Sequence, residues 1–253
     1  MTLYIIGLGL HDEKDITLAG LDAVKKCSKV YLESYTSKLQ IESEKLEALY
    51  GKKIILADRD LVEKKAEDTI LKDAEETDTA FLVIGDPLGA TTHIDLYLRA
   101  KEKGIKIILI NNASVMNAIG NVGLELYKFG KTTSIVFPDG NYKPESCYDM
   151  IKQNKSIDAH TLCLLDIKAD IDKYMTVNDA INILLEIEEK KQDKVFTEDT
   201  LVVGCARLGS PDCIIKVGTI KEILNHNFGA PLHCLIVPGK LHFKEEEMLE
   251  QWK

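Results

Sequence analysis

Residues 80–93, AFLVIGDPLGATTH, join a strand-like apolar run to a turn of special residues. The run ends at a glycine, which is followed by an acid, a proline and a second glycine: Gly85, Asp86, Pro87 and Gly89. Open α/β sheets bind ligands at the carboxyl ends of their strands, which is the position of Asp86. Taken alone, the stretch favours an ordinary turn, because Asp and Pro are common turn residues. His93 begins a helical segment, where a lone histidine is more often structural.

Along the first half of the chain, short apolar runs alternate with helical segments. The strand-like runs of the first half are LYIIG (3–7), KVYLE (29–33), KIILA (53–57), AFLVIG (80–85) and IKIILI (105–110). The segments between them are TLAGLDAVKKC, IESEKLEALYG, LVEKKAEDTILKDAEE and TTHIDLYLRAKEKG. Continuous apolar strands that alternate with helices indicate a mostly parallel sheet. In the last of these segments, TTHIDLYLRAKEKG, we predict Thr92 as the N-cap of the helix, Asp95 as its capping-box partner and Gly104 as the residue that ends it.

The second half has a different pattern. Its apolar runs are TTSIVFP (132–138), HTLCLLDIK (160–168), TLVVGCARLG (200–209), CIIKVGTI (213–220) and PLHCLIVPG (231–239). The short link ARLGSPDC predicts a hairpin, and Thr176 with Asp179 predicts a capping box at the start of a helix. The sequence therefore predicts two α/β domains. Residues 1–112 would hold a mostly parallel sheet, and residues 113–253 a mixed, partly antiparallel one.

Composition and charge exclude several classes of protein. The 253 residues carry a formal net charge of -9, which argues against a general nucleic-acid binder, since phosphate needs a basic footprint. No apolar run approaches the ~18 residues of a membrane span, and the N-terminus lacks the features of a signal peptide. The six cysteines contain no CxxC pair, so we expect reduced, mostly structural thiols and no metal site.

Two further strand ends carry candidate ligand loops. IIGLGLHDEKDIT (5–17) has two glycines after a strand, but the third glycine of a dinucleotide fingerprint is missing and the helix starts late. A nicotinamide dehydrogenase is therefore a distant alternative, and what remains is a glycine turn that lets a ligand approach near Leu10. NNASVMNAIG (111–120) places small polar residues between a strand and a helix, where Ser114 fits either an N-cap or a ligand loop.

The second half contributes charged residues beside buried runs. Arg207 follows a strand and needs an anionic partner if it is buried, and His233 lies within an apolar run, where a histidine is usually a satisfied core residue. The chain contains no HExxH, G-x-S-x-G or Walker A motif. Zinc hydrolases, serine hydrolases and P-loop NTPases are therefore not indicated.

Taken together, these motifs resemble the tetrapyrrole-methylase superfamily of S-adenosylmethionine-dependent methyltransferases. The resemblance rests on GLGLHDEKDIT, GDPLGATTH and NNASVMNAIG, although Leu10 and His11 replace the Pro-Gly of the usual first motif. Within the superfamily, the closest likeness is to the diphthine synthases. It is carried by VYLESYTS, LYKFGKTTSIVF, HTLCLLDIK, YMTVNDA, GCARLG and GAPLHCLIVPG as well.

The resemblance implies a fold, an activity and a set of partners. The fold would be two α/β domains with the ligand cleft between them. The enzyme would methylate the 3-amino-3-carboxypropyl-histidine of translation elongation factor 2 in diphthamide biosynthesis. Members of the archaeal type place three methyl groups on the amine, and those of the eukaryotic type add a fourth to a carboxylate. S-adenosylmethionine would be the cofactor and S-adenosylhomocysteine its product, without a metal. A cytoplasmic homodimer with no nucleic-acid or membrane partner is expected.

The resemblance also implies which residues bind the methyl donor. They are Leu10, Asp86, Gly89, Ser114, Val115, Leu165, Leu208 and His233. Methyl transfer from a sulfonium is an in-line displacement that needs alignment more than acid–base groups. We therefore hypothesise that no single residue acts as the catalytic base. The role of Asp86 stays open between a donor hydroxyl, the donor amino group and the field of the sulfonium.

Two alternatives share the fold. A precorrin or uroporphyrinogen methyltransferase would transfer the methyl group from the same donor to a tetrapyrrole. The residues of GDPLGATTH favour a protein acceptor, elongation factor 2, instead. A catalytically inactive binding protein would not need the glycines and polar residues of the three loops. Donor binding discriminates the inactive protein from both enzymes.

Overall fold

The computed structural model describes residues 1–253, and the chain divides into two units, Met1–Ala118 and Ile119–Lys253. The domain boundary predicted from the sequence, between 112 and 113, precedes the short helix that ends the first unit. None of the helices is both long and apolar enough to span a lipid bilayer.

The first unit is built on a five-stranded parallel sheet in the order β3-β2-β4-β1-β5. Its strands are β1 (Thr2–Gly7), β2 (Lys29–Glu33), β3 (Ile55–Ala57), β4 (Thr79–Val83) and β5 (Lys106–Ile110). Its helices are α1 (Leu18–Lys26), α2 (Ser43–Tyr50), α3 (Arg59–Glu63), α4 (Ile70–Glu76), α5 (Ile94–Glu102) and α6 (Val115–Ala118). All five residues of β4 are buried, as expected for a central strand covered on both faces.

The second unit is built on a mixed five-stranded sheet in the order β11-β10-β12-β7-β6. Its strands are β6 (Thr133–Ile135), β7 (Thr161–Leu165), β10 (Leu201–Ala206), β11 (Ile214–Thr219) and β12 (His233–Val237). A separate hairpin joins β8 (Ile167–Lys168) to β9 (Lys173–Tyr174). The helices are α7 (Ser146–Ser156), α8 (Val177–Lys191), α9 (Ile220–Ile223) and α10 (Phe243–Leu249). Only β6 and β7 pair in parallel, so the predicted α/β class is confirmed.

Several local predictions are confirmed. The predicted hairpin is the antiparallel pair β10–β11. The Thr176 side chain accepts a hydrogen bond from the backbone of Asp179, whose side chain in turn accepts one from the backbone of Thr176, which is a full capping box. All six cysteines are free thiols.

Two helix predictions are wrong. Helix α5 begins at Ile94, and Thr92 does not cap it: His93 takes the cap position in a helical conformation, while the Asp95 carboxylate pairs with Arg99 at 2.9 Å. The segment predicted as one helix over 61–76 is α3, a 3-10 turn at Ala66–Asp68, and α4. The chain breaks at Thr69, whose φ of -127° and ψ of -95° are not helical. The break allows buried residues on each piece to face one core, which periodicity within a single helix does not reveal.

A buried ionic network anchors the C-terminal helix α10 within the second unit. The Glu245 carboxylate is 1% exposed and accepts hydrogen bonds from His160 Nε2 at 3.0 Å, from Lys128 Nζ and from the backbone N–H groups of Glu125 and His242. Burial alone would raise the pKa of Glu245, but these hydrogen bonds outweigh burial and lower the pKa to about 2.

The same helix is fastened by packing as well. Met248 lies so close to Gly123 that a Cβ atom there would meet its Cγ at 1.9 Å. The half-buried Trp252 donates its indole N–H to the carbonyl of Val122 at 3.0 Å. Trp252 therefore packs within the second unit.

We expect Glu245→Gln to lower the free energy of unfolding by about 3 kcal/mol at neutral pH, because it breaks a buried, paired network. A carboxylate whose folded pKa lies below its ordinary 4.5 stabilises the fold above that value, and this contribution is lost as the pH falls toward about 2. The deficit of the variant should therefore shrink over that interval. Denaturant unfolding at several pH values measures it, with the exposed neighbour Glu246→Gln as the matched control. Equal deficits for both variants at neutral pH would contradict the anchoring role.

Candidate functional site

Three loops meet at the carboxyl edge of the parallel sheet in the first unit. They follow β1, β4 and β5 and correspond to GLGLHDEKDIT, GDPLGATTH and NNASV. The first two are joined by a backbone bridge, in which Gly85 donates to Gly9 at 2.7 Å and Gly9 donates to Gly85 at 3.3 Å. Gly9 has a φ of +80°, and a Cβ there would meet the Cβ of Asp15 at 2.6 Å, so the turn requires glycine.

Asn112 ties the third loop to the first. Its side-chain Nδ2 donates to the carbonyl of Gly7 and to that of Asp15, each at 2.9 Å, and its Oδ1 accepts from the backbone of Ala113. The Asp15 carboxylate then accepts the backbone N–H groups of Leu10 and His11 at 3.0 and 2.8 Å. These contacts fix the backbone around Leu10, a predicted donor contact. Asp15 lies within the motif GLGLHDEKDIT, but no role was predicted for it.

Asp86 ties the second loop to the third. One carboxylate oxygen accepts from the Asn111 side chain at 2.9 Å and from the Asn112 backbone at 3.1 Å, and the other accepts from the Leu88 backbone at 3.0 Å. Both oxygens are therefore already engaged inside the protein. Gly89 faces Ser114, because a Cβ at position 89 would meet the Ser114 hydroxyl oxygen at 3.0 Å. A side chain at that position would press on Ser114, which would have to shift by a few tenths of an ångström.

The structure thus brings together all five predicted donor residues of the first unit: Leu10, Asp86, Gly89, Ser114 and Val115. Leu10 and Val115 are half-buried, so each leaves apolar surface beside polar loop atoms. Next to Leu10, the Nδ1 atom of His11 is shielded from solvent and has no hydrogen-bond partner. Apolar surface flanked by a few polar groups fits the nucleoside and amino-acid parts of S-adenosylmethionine.

The other three predicted residues lie at one edge of the sheet in the second unit. Leu165 ends β7, His233 begins β12, and Leu208 follows β10. Because β12 runs antiparallel to both neighbouring strands, its start lies beside their ends, and His233 is directly opposite Ala206. Each unit therefore assembles its own group of predicted donor contacts.

His233 and Arg207 both have internal partners. The Nδ1 atom of His233 accepts from the Val177 backbone at 3.4 Å, and its Nε2 donates to the carbonyl of Ala230 at 3.1 Å. Burial lowers the pKa of His233, so it is neutral at physiological pH. The Arg207 guanidinium pairs with Asp212 at 2.7 Å and donates to the carbonyl of Phe228 at 2.9 Å, which supplies the partner that a buried arginine needs.

The comparisons with known proteins agree with this geometry. The sequence pattern of the Tetrapyrrole (Corrin/Porphyrin) Methylases matches residues 2–224. The chain belongs to this family. A diphthine methyl ester synthase of Schizosaccharomyces pombe is 50% identical over 98% of this chain and 93% of its own length. A diphthine synthase of Methanococcus maripaludis is 49% identical over 98% of this chain and 97% of its own length. The crystal structure of a diphthine synthase superposes with a TM-score of 0.91 at 35% identity, covering 100% of this chain and 96% of that one.

These findings confirm the recognition made from the sequence. The chain is a methyltransferase of the tetrapyrrole-methylase fold, and its relatives over the whole length are diphthine synthases. Methyltransferases of this family use S-adenosylmethionine, so the enzyme class predicted from the sequence is confirmed as well. The residues that contact the donor stay a prediction.

We expect Asn112→Ala to loosen the loop cluster, since it removes three part-buried hydrogen bonds at a cost of about 3 kcal/mol. Asn111→Ala is the matched control, because that neighbouring asparagine contributes one exposed hydrogen bond. Hydrogen exchange of the Leu10 and His11 amides measures the effect, and exchange should accelerate in the Asn112 variant only. Equal exchange in the two variants would show that Asn112 does not hold the loops.

Proposed function

We propose that the protein transfers methyl groups from S-adenosylmethionine to the 3-amino-3-carboxypropyl-histidine of translation elongation factor 2, a step of diphthamide biosynthesis. The observation that carries the proposal is the identity of about one residue in two, over 98% of the chain, to diphthine and diphthine methyl ester synthases. A tetrapyrrole acceptor has no comparable support, because the names of these relatives refer to diphthine and not to a precorrin or a uroporphyrinogen.

The donor supplies a methyl group on a positively charged sulfur, and the protein must hold that methyl in line with the acceptor. In the proposal, the loop cluster of the first unit binds the donor through Leu10, Val115 and the backbone around Gly89. Asp86 holds the loops in place with the hydrogen bonds described above, and its negative charge also favours a cationic donor. The sequence prediction adds Leu165, Leu208 and His233 to the donor contacts.

The geometry supports catalysis by alignment. An amine acceptor must lose a proton before it attacks, whereas a carboxylate acceptor need not. Both oxygens of Asp86 and both ring nitrogens of His233 already have hydrogen-bond partners. His233 is therefore not placed as a free base, and Asp86 is held by three loop hydrogen bonds, so in the proposal the proton of the amine passes to water. One pocket without a strong base can then serve both the amine and the carboxylate.

The direct test is mass spectrometry of elongation factor 2 that bears the precursor side chain, incubated with the protein and the donor. We expect a gain of three methyl groups, which corresponds to diphthine, or of four, which corresponds to the methyl ester. Omitting the donor is the control. No gain with an acceptor that a known diphthine synthase methylates would overturn the proposal.

We expect Asp86→Asn to weaken donor binding by about tenfold, or about 1.4 kcal/mol, because it removes a charge and weakens some of the three loop hydrogen bonds. His233→Gln should weaken it less, since His233 is neutral. At saturating donor, both variants should keep measurable turnover. Calorimetry gives the donor affinity and single-turnover kinetics the methylation rate. Loss of turnover with intact donor binding in either variant would identify a catalytic base and refute alignment as the sole requirement.

A further inference from the structure

A cavity of about 250 Å³ lies in the first unit next to the GDPLGATTH loop. It is lined by Tyr35, Val62, Glu63, Thr92, Asp95, Leu96 and Arg99. Tyr35 comes from the loop after β2, and Thr92 from the loop after β4, which is the neighbouring strand.

The hydroxyl of Tyr35 makes only a weak internal contact, with Thr92, although its side chain is almost fully covered. Tyr35 is 8% exposed, and its hydroxyl oxygen is shielded without a hydrogen bond of ordinary geometry. Burial raises the pKa of Tyr35, so the hydroxyl stays protonated and is able both to donate and to accept. A buried hydroxyl without a well-formed hydrogen bond is destabilising, and a ligand with a polar atom would satisfy it.

The charges around the cavity favour a cation. Of the charged residues that line it, Glu63 and Asp95 are acids and Arg99 is the base. The Arg99 guanidinium is already used, because it binds Glu67 with two contacts of 3.0 Å and Asp95 with one of 2.9 Å, and it donates to the carbonyl of Val62. Glu63 is only loosely paired, with its carboxylate 3.9 Å from Arg59. An incoming carboxylate would therefore meet no free cation among the lining residues.

The ring of Tyr35 already holds a cation. The guanidinium carbon of Arg59 lies 5.4 Å from the ring centroid, within cation–π range, and the Arg59 side chain is 64% exposed. His93 meets the same ring edge-on, with centroids 6.0 Å apart. A substrate ammonium can take the place of Arg59, since an exposed arginine loses little by swinging into solvent.

From these observations we infer that the Tyr35 cavity receives the amino group of the acceptor side chain. This inference rests on the proposed function. Tyr35 would accept a hydrogen bond from the amine, or stack against the quaternary ammonium formed after methylation. Glu63 would supply the countercharge. Tyr35 and Glu63 are then specificity residues for a cationic aliphatic acceptor.

The test replaces Tyr35 by Phe, which removes the hydroxyl and keeps the ring. The matched control is Tyr50→Phe, since the buried hydroxyl of Tyr50 also makes no hydrogen bond of ordinary geometry, but Tyr50 does not line the cavity. We expect Tyr35→Phe to reduce kcat/KM for precursor elongation factor 2 by about tenfold to a hundredfold, the effect of one hydrogen bond to a charged group. Donor affinity and thermal stability should not fall. The control should keep the wild-type value.

Glu63→Gln tests the charge, with the exposed Glu76→Gln as its control. It should raise KM for the acceptor severalfold and weaken its dependence on salt, while Glu76→Gln should do neither. If the wild type methylates the precursor but both cavity variants match their controls, the inference is overturned and the proposed function stands. If the wild type does not methylate the precursor, the proposed function fails first. A Tyr35 variant that loses stability along with activity would assign the hydroxyl to the fold and also overturn the inference.

Discussion

The side-chain amide of Asn112 determines how the three loops of the first unit are arranged. Its two N–H groups reach carbonyls of Gly7 and Asp15, which lie about a hundred residues earlier in the chain, while its own backbone N–H binds Asp86. One residue thereby fixes the loops after β1, β4 and β5 relative to one another. No other neutral side chain of this size offers two donors and an acceptor in one plane. A parallel sheet only brings loops to the same edge, whereas this amide sets their spacing.

Much of the fold follows from patterns that are local in sequence. The strand β4 is a continuous apolar run because both its faces are covered, and the capping box at Thr176 is complete within four residues. The break at Thr69 was not predictable in the same way, since it depends on how three short helical pieces share one core. Thr92 does not cap α5, because the helix begins at Ile94 and His93 takes the cap position, while Asp95, the expected partner of Thr92, pairs with Arg99.

For the candidate site, the sequence predicts which residues belong to it but not which groups their side chains contact. Asp86 was expected to face a ligand, and the structure shows both of its oxygens binding loop amides. Asp15 was not singled out, yet it holds the backbone beside Leu10. Tyr35 lies in the motif VYLESYTS, which contributed to the resemblance without any assigned role. For Asp86, the missing information is its hydrogen bonds to Asn111 and Asn112, about 25 residues further along the chain, which composition and periodicity do not encode.

The internal pairing of the titratable groups also bears on how such an enzyme can work. A general base needs a lone pair directed at the proton that it removes. His233 has none to spare, because one ring nitrogen accepts and the other donates, and burial keeps it neutral. Asp86 is held by three hydrogen bonds from its own loops. What the loops offer is rigid placement of a charged, reactive methyl donor, and rigid placement can account for several kcal/mol of a bimolecular barrier. The protonated hydroxyl of Tyr35, which makes no hydrogen bond of ordinary geometry, is suited to such an enzyme, because it can orient an amine without deprotonating it. Holding the amine by a hydrogen bond would leave the timing of its proton loss to water.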